Sequence, residues 1–206
     1  PDPAQRIVWV DCEMTGLDLG SDALVEIACI VTESDLTPVD DGISVVIKPP
    51  DAPLAAMDSF VVDMHEKSGL MVEIPDGIGL ADAADQVLAY VKSHVPEARR
   101  APLAGSTIYV DRGFLARDMP ELDAHLHYRV IDVSSIKELI KRWYPQDFKP
   151  TLSVRTSEPN SRQQPTNAGG DPAMRKTSSE PASECSLGRG LPFRQRPHMI
   201  KRSGGG

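Results

Sequence analysis

Two acids, Asp11 and Glu13, close the apolar run Ile7-Val8-Trp9-Val10, with only Cys12 between them. Residues two apart along a strand share a face, so the pair would project side by side from the strand's carboxyl end. Carboxylates held that close repel each other unless a proton or a cation lies between them. Hard oxygen donors grouped in this way suit Mg2+ or Mn2+, ions that retain water and are often shared with substrate phosphates. On spacing alone, a chance meeting of two acids at an exposed strand end explains the pattern equally well.

The elements that must position this pair follow from hydrophobic periodicity. Ile7–Val10, Val25–Val31 and Ile43–Ile47 are short, apolar and β-branched, and clusters such as "TGLDLGSD" and "DLTPVDDG" separate them. Three strands joined by turns, a meander, are predicted. Leu80, Ala84, Val87, Leu88 and Val91 then recur at helical spacing and stop before Pro96, which predicts an amphipathic helix. A strand at "APLAG", a helix from about Asp111 to Asp118 and a strand at "YRVIDV" come next. Ser135-x-x-Glu138 has the form of a capping box, opening a last helix with an apolar stripe at Ile136, Leu139, Ile140 and Trp143. Strands first and strand–helix units afterwards make a mixed α/β domain.

The 206 residues suffice for one ordinary domain, or for a smaller one with an appendage. Charge distribution favours the second. Residues 1–145 hold 25 acids against 12 Lys and Arg, whereas 146–206 hold 5 acids against 10 bases, an acidic body with a basic tail. An acidic body is a poor track for a long polyanion, so short anionic substrates or metal ions fit it better. From Gln146 onward 22 of 61 residues are Pro, Gly or Ser and no period persists, so this tail is expected to be disordered, a solvated or aberrant segment in preference to a basic arm on RNA. Cys12, Cys29 and Cys185 offer neither a disulfide framework nor a zinc knuckle, and a reducing cytoplasm is expected. No segment has the length of a membrane span, and none resembles a signal peptide. The chain opens on Pro1, so a start further upstream is expected.

With these residues in view, "VDCEMTGLD" closely resembles the first motif of the DEDD exonucleases. Glu26-Ile27-Ala28, Met64-His65-x-x-Ser68-Gly69-Leu70, Asp111-Arg112-x-Phe114-Leu115, "MPELDAHLHYR" and "DVSSIKELIKRWYP" extend the resemblance to the oligoribonuclease family, nearest to its actinobacterial forms, from about Ile7 to Pro145. The resemblance implies a ribonuclease H-like mixed sheet flanked by helices. It also implies removal of nucleotides from the 3′ end of very short RNA oligonucleotides, down to dinucleotides, with two Mg2+ or Mn2+ ions. Asp11, Glu13 and Asp111 match three of the family's four metal-binding carboxylates. Leu17 and Phe60 match positions that pack the two bases, and His65 matches a substrate contact nearby. Thr107, Tyr128, Arg129 and Ser134 match the group that caps the terminal phosphate, with Tyr128 reaching across a homodimer. Without the resemblance, Leu17, Phe60 and Tyr128 read as packing residues, His65 as a surface or capped histidine and Arg129 as a surface cation.

Two departures stand out. The family has Gly-Asn-Ser where this chain has Gly105-Ser106-Thr107, so Ser106 loses an amide's paired donor and acceptor. The family's closing His-x-x-x-x-Asp, which supplies the general base and the fourth carboxylate, is spelled in this chain only by His127 and Asp132. That pair lies on a predicted strand upstream of the last helix, which makes the match accidental. Nothing after Pro145 resembles the family, and the switch has the look of a frameshift, an alternative exon or a misjoined gene model. Three functions follow as expectations: an exoribonuclease of impaired activity, a non-catalytic binder of short RNA, or a phosphatase like the haloacid dehalogenases. The last rests on Asp11-x-Glu13-x-Thr15, which approaches that family's nucleophile motif but has Glu for its second Asp.

Overall fold

The computed structural model describes residues 5–146. The expected disordered tail at 146–206 therefore lies, from residue 147 on, outside the described residues. Strands β1 (Ile7–Met14), β2 (Leu24–Thr32) and β3 (Ile43–Val46) form the expected antiparallel meander. β4 (Pro102–Gly105) adds to the other side of β1 and β5 (His127–Asp132) adds to β4, both parallel, giving the order β3-β2-β1-β4-β5. The fold is a mixed sheet flanked by helices, as the resemblance implied.

Alternation along β1 decides which face is core. Val8, Val10 and Cys12 are buried on one face, under Ala83, Val87, Leu88 and Val91 of α4 (Leu80–His94) and Phe114 and Leu115 of α5 (Ile108–Asp118). β2 lies between β1 and β3 and is buried along nearly its whole length, so it reads as an unbroken apolar run. Its Val25 faces away from that core and packs with Leu70 and Ile74.

Several short elements were not legible in the sequence: α1 (Asp51–Ala55), α2 (Ser59–Ser68), α3 (Leu70–Glu73) and α6 (Pro120–His125). Their apolar residues do not form one continuous core stripe; Phe60 and Val72, for example, point outward. Two expected boundaries are corrected. α5 begins at Ile108, three residues before Asp111, because the chain turns sharply at Thr107 on leaving β4. The last helix, α7 (Val133–Trp143), is capped not by Ser135 but by Asp132, whose carboxylate accepts the Ser134 N–H at 2.8 Å. Asp132 ends β5, so its carboxylate meets the first open N–H groups of the helix one turn before Ser135 could. Glu138, the other half of the expected box, instead pairs with Arg142 one turn on.

β4 ends at Gly105 because nothing larger fits there. A Cβ on Gly105 would stand 2.8 Å from the Val10 carbonyl oxygen and 2.6 Å from Ile108 Cδ1. Gly105→Ala should therefore destabilise the domain by about 1–3 kcal/mol, the scale of overpacking a tight site, read as a lower urea midpoint at unchanged slope.

Candidate active site

Strands β1, β4 and β5 run parallel, so their carboxyl ends open on the same edge of the sheet. Ligands in open α/β sheets bind at that edge. β1 delivers Asp11 and Glu13 there, β4 leads into Ser106 and Thr107, and β5 leads through Asp132 into Ser134.

β1 outruns its parallel neighbour. It pairs with β4 at Val8 and Trp9 and continues to Met14. Past the end of β4, the Cys12 N–H donates to Asp111 Oδ1 at 2.9 Å. A residue of helix α5 thus takes the place of a missing strand partner, and this brings a buried carboxylate next to the acidic pair. Burial pushes the Asp111 carboxyl up to about 6; the Cys12 N–H opposes that shift, and the charge of Asp11 adds to it. The Cys12 thiol points into the core, where burial and then the Asp111 charge push it well above its ordinary range, so it stays neutral.

Asp11 is exposed and Glu13 half-buried, and Glu13 lies directly across the β1–β2 ladder from Glu26. His65, from α2, is 1% exposed. Its Nε2 lies 2.9 Å from the Met14 carbonyl oxygen and so carries the proton it donates. Its Nδ1 lies 3.8 Å from Glu13 Oε2 and is buried without a hydrogen-bond partner. Of the two readings of His65, surface or capped, burial removes the first: its Nε2 is tied to the Met14 carbonyl and its ring stands beside Glu13.

Carboxylates from Asp11, Glu13 and Asp111 are the hard donors that Mg2+ or Mn2+ prefer, and like charges at Asp11, Asp111, Glu13 and Glu26 are what a cation would relieve. The donor set fits a divalent ion in its chemistry. Among the described residues, however, no three His, Cys, Asp or Glu side chains already stand grouped as metal ligands.

A second group lies at the ends of β4 and β5. Ser134 Oγ is 2.9 Å from Ser106 Oγ and 3.0 Å from Thr107 Oγ1, so three hydroxyls meet. The expectation that Ser106 is a plain loss is modified accordingly, since its hydroxyl joins the cluster. Arg129 and Tyr128 lie near the start of β5, the guanidinium 5.4 Å from the tyrosine ring centre, and the hydroxyl cluster lies at the strand's other end. Arg112 holds this strand, donating to the carbonyls of His127 and Tyr128 at 3.0 and 3.1 Å and to Asp123 at 2.9 Å. Nothing in the spacing of the sequence marked Arg112 or Asp132 for these positioning tasks.

Leu17, Phe60 and Tyr128 are 72%, 75% and 63% exposed, which corrects the reading of them as packing residues. Leu17 sits on a clamped loop: Thr15 Oγ1 donates to Asp22, the Asp18 N–H donates to the same carboxylate, and Arg117 reaches the carbonyls of Leu19 and Asp22. Exposed apolar side chains on a rigid base can receive a flat apolar partner.

Comparison with known proteins agrees with this geometry. The exonuclease family model of the RNase T type matches residues 8–149. The chain belongs to this class of hydrolases acting on nucleic acids. An oligoribonuclease from Streptomyces griseus is 56% identical over 143 residues, 69% of this chain and 71% of the relative. One from Rhodococcus jostii is 58% identical over 144 residues, 69% and 72% of the two chains. Within the exonucleases, the chain is a member of the oligoribonuclease family. Solved structures carry the fold alone: an Escherichia coli exonuclease I in complex with a 5cy-dA13 oligonucleotide matches with a TM-score of 0.53 at 15% identity, over 73% of this chain and 33% of that one. Among the described residues no helix is long and apolar enough to cross a membrane.

The raised Asp111 carboxyl has a consequence for stability. Its folded pKa, about 6, lies above the ordinary value of 3.8, so the fold favours the protonated form; that contribution is full below pH 3.8 and is lost as pH rises through about 6. Asp111→Asn keeps an oxygen for the Cys12 N–H and removes the charge. In chelator the variant should exceed the wild type by up to about 3 kcal/mol at pH 8 and match it near pH 3.5, by chemical denaturation. Added Mn2+ should stabilise the wild type at pH 8 and leave the variant unmoved.

Proposed function

We propose that this chain is a 3′-to-5′ exoribonuclease acting on short oligoribonucleotides, dinucleotides above all, and that its activity is impaired. The observation that carries the reading is the shared edge of β1, β4 and β5, where an acidic group and a cluster of hydroxyls lie at neighbouring strand ends. Asp11, Glu13 and Asp111 would hold Mg2+ or Mn2+, with His65 Nδ1 beside Glu13 as an acceptor for substrate. A bound divalent ion supplies Lewis-acid stabilisation of phosphoryl oxygens and a water of lowered pKa. Ser106, Thr107, Ser134 and Arg129 are donors for the terminal phosphate, and Leu17 and Phe60 offer apolar surface to the two bases.

A cap of this kind limits length, because a longer chain would have to continue through the residues that close on its terminal phosphate. Tyr128 is exposed near the start of β5, in keeping with a role across a homodimer. The stripe Ile136, Leu139 and Trp143 on α7 is also exposed, at 45%, 41% and 65%. The proposal of impairment is supported by the stretch after Pro145, which contains no His-x-x-x-x-Asp. His127 and Asp132, the one pair with that spelling, are engaged elsewhere, His127 Nδ1 with the Arg129 N–H and Asp132 with the start of α7. The same absence favours the second reading, a binder of short RNA that does not cut.

Purified full-length chain incubated with a labelled diribonucleotide and Mn2+ tests these readings. Turnover about 10²–10⁴ below that of an intact relative is expected from loss of a general base. Turnover equal to the relative's would refute impairment, and failure to bind dinucleotide or metal would refute the site. Micromolar binding by calorimetry without hydrolysis would establish the non-catalytic binder. Sedimentation velocity checks the homodimer, with a monomer at tens of micromolar as the contrary result.

A further inference from the structure

We infer that Asp132 is a positioning residue that fixes the phosphate-capping hydroxyls and thereby sets the preference for a 5′-phosphorylated end; the inference rests on the proposed short-RNA site. A single oxygen, Asp132 Oδ1, accepts two backbone N–H groups, that of Ser134 at 2.8 Å and that of Thr107 at 3.0 Å. The first belongs to the helix that follows β5, the second to the turn that follows β4. One carboxylate therefore ties together two segments separated by 25 residues, and these segments carry all three hydroxyls of the cluster.

The Thr107 end of this clamp needs holding. Thr107 has φ 59° and ψ 33°, the left-handed region, which a β-branched residue enters only against a penalty of roughly 1–2 kcal/mol. Its side chain does not cap α5, so Oγ1 remains directed at Ser134. The left-handed turn is what aims this hydroxyl away from its own helix and toward the other two. Residues held in such regions mark sites where surrounding structure imposes the geometry. Here the imposing group is identifiable: the Thr107 N–H is bonded to a carboxylate, and charge-assisted bonds of this sort are about twice as strong as neutral ones.

The negative charge of Asp132 is not itself suited to a phosphate. Its value lies in accepting, and its charge is partly answered by the two N–H dipoles at the start of α7 and α5. An amide oxygen in the same place would accept as well without repelling the ligand. This separates a positioning role from a general electrostatic one.

Calorimetry with pApA and with ApA, on wild-type full-length chain and on Asp132→Ala and Asp132→Asn, tests the inference. The wild type should favour pApA over ApA. Asp132→Ala should weaken pApA by about 10–100-fold, the penalty of ångström-scale misplacement, while leaving ApA within a few-fold. Asp132→Asn should retain the preference or increase it. Equal weakening of both ligands by Asp132→Ala would show a merely structural residue and overturn the inference, as would no change in either. Amide hydrogen exchange at Thr107 separates this from failure of the site itself. If the wild type binds neither dinucleotide, the short-RNA reading fails, yet fast Thr107 exchange confined to Asp132→Ala would still establish the clamp, and unchanged exchange would overturn it.

Discussion

Everything at the site depends on β1 running farther than β4. Beyond the end of β4, β1 presents an edge without a strand beside it, and the buried N–H of Cys12 on that edge must be satisfied. Asp111 satisfies the one at Cys12. In doing so it draws a carboxylate from helix α5 into the wall behind Asp11 and Glu13, where the loss of solvation raises its affinity for protons. Structural need and chemical capacity thus meet in one hydrogen bond: the interaction that closes the edge is the one that assembles the acids. Gly105 makes the overhang possible, because only a residue without Cβ lets the chain leave β4 this close to the Val10 carbonyl.

The parallel part of the sheet then decides what lies beside the acids. Antiparallel neighbours would have sent the ends of β4 and β5 to the opposite edge, but both run with β1. Acceptors accordingly gather at the end of one strand and donors at the ends of the next two. An edge that is acidic on one side and rich in hydroxyls on the other is polarised along the sheet. The net acidity of residues 1–145 discourages a long polyanion along this edge.

Much of this was legible in the sequence, for identifiable reasons. A short β-branched apolar run revealed β1, and strand geometry then put the two acids at its end on one face. Period 3.6 revealed α4, since Val87, Leu88 and Val91 of its stripe enter the core and Leu80 and Ala84 pack against it. Helices α1 to α3 were illegible because they are short and expose Phe60 and Val72, leaving no stripe to find. The cap of α7 was misplaced for a different reason: two capping patterns overlap, and sequence does not show that the carboxylate of Asp132 lies at a strand end and takes priority over the hydroxyl of Ser135. The site's long-range bonds, Cys12 to Asp111 across 99 residues and Thr107 to Asp132 across 25, have no periodicity to reveal them.

These two bonds share a design. In each, an aspartate at an element boundary or on a helix accepts a backbone N–H from a segment far away in sequence, and in each the accepting oxygen fixes where catalytic-type groups can stand. A backbone N–H is a good anchor for this purpose, because its direction is set by the chain and not by a rotamer. Side-chain pairs alone would leave both partners free to swing. With the backbone as one partner, only the aspartate must be ordered, and Asp111 is ordered by burial while Asp132 is ordered by holding two N–H groups at once. The precision of the edge therefore comes from the main chain, and the acids, hydroxyls and exposed apolar residues that differ in chemistry are carried on it.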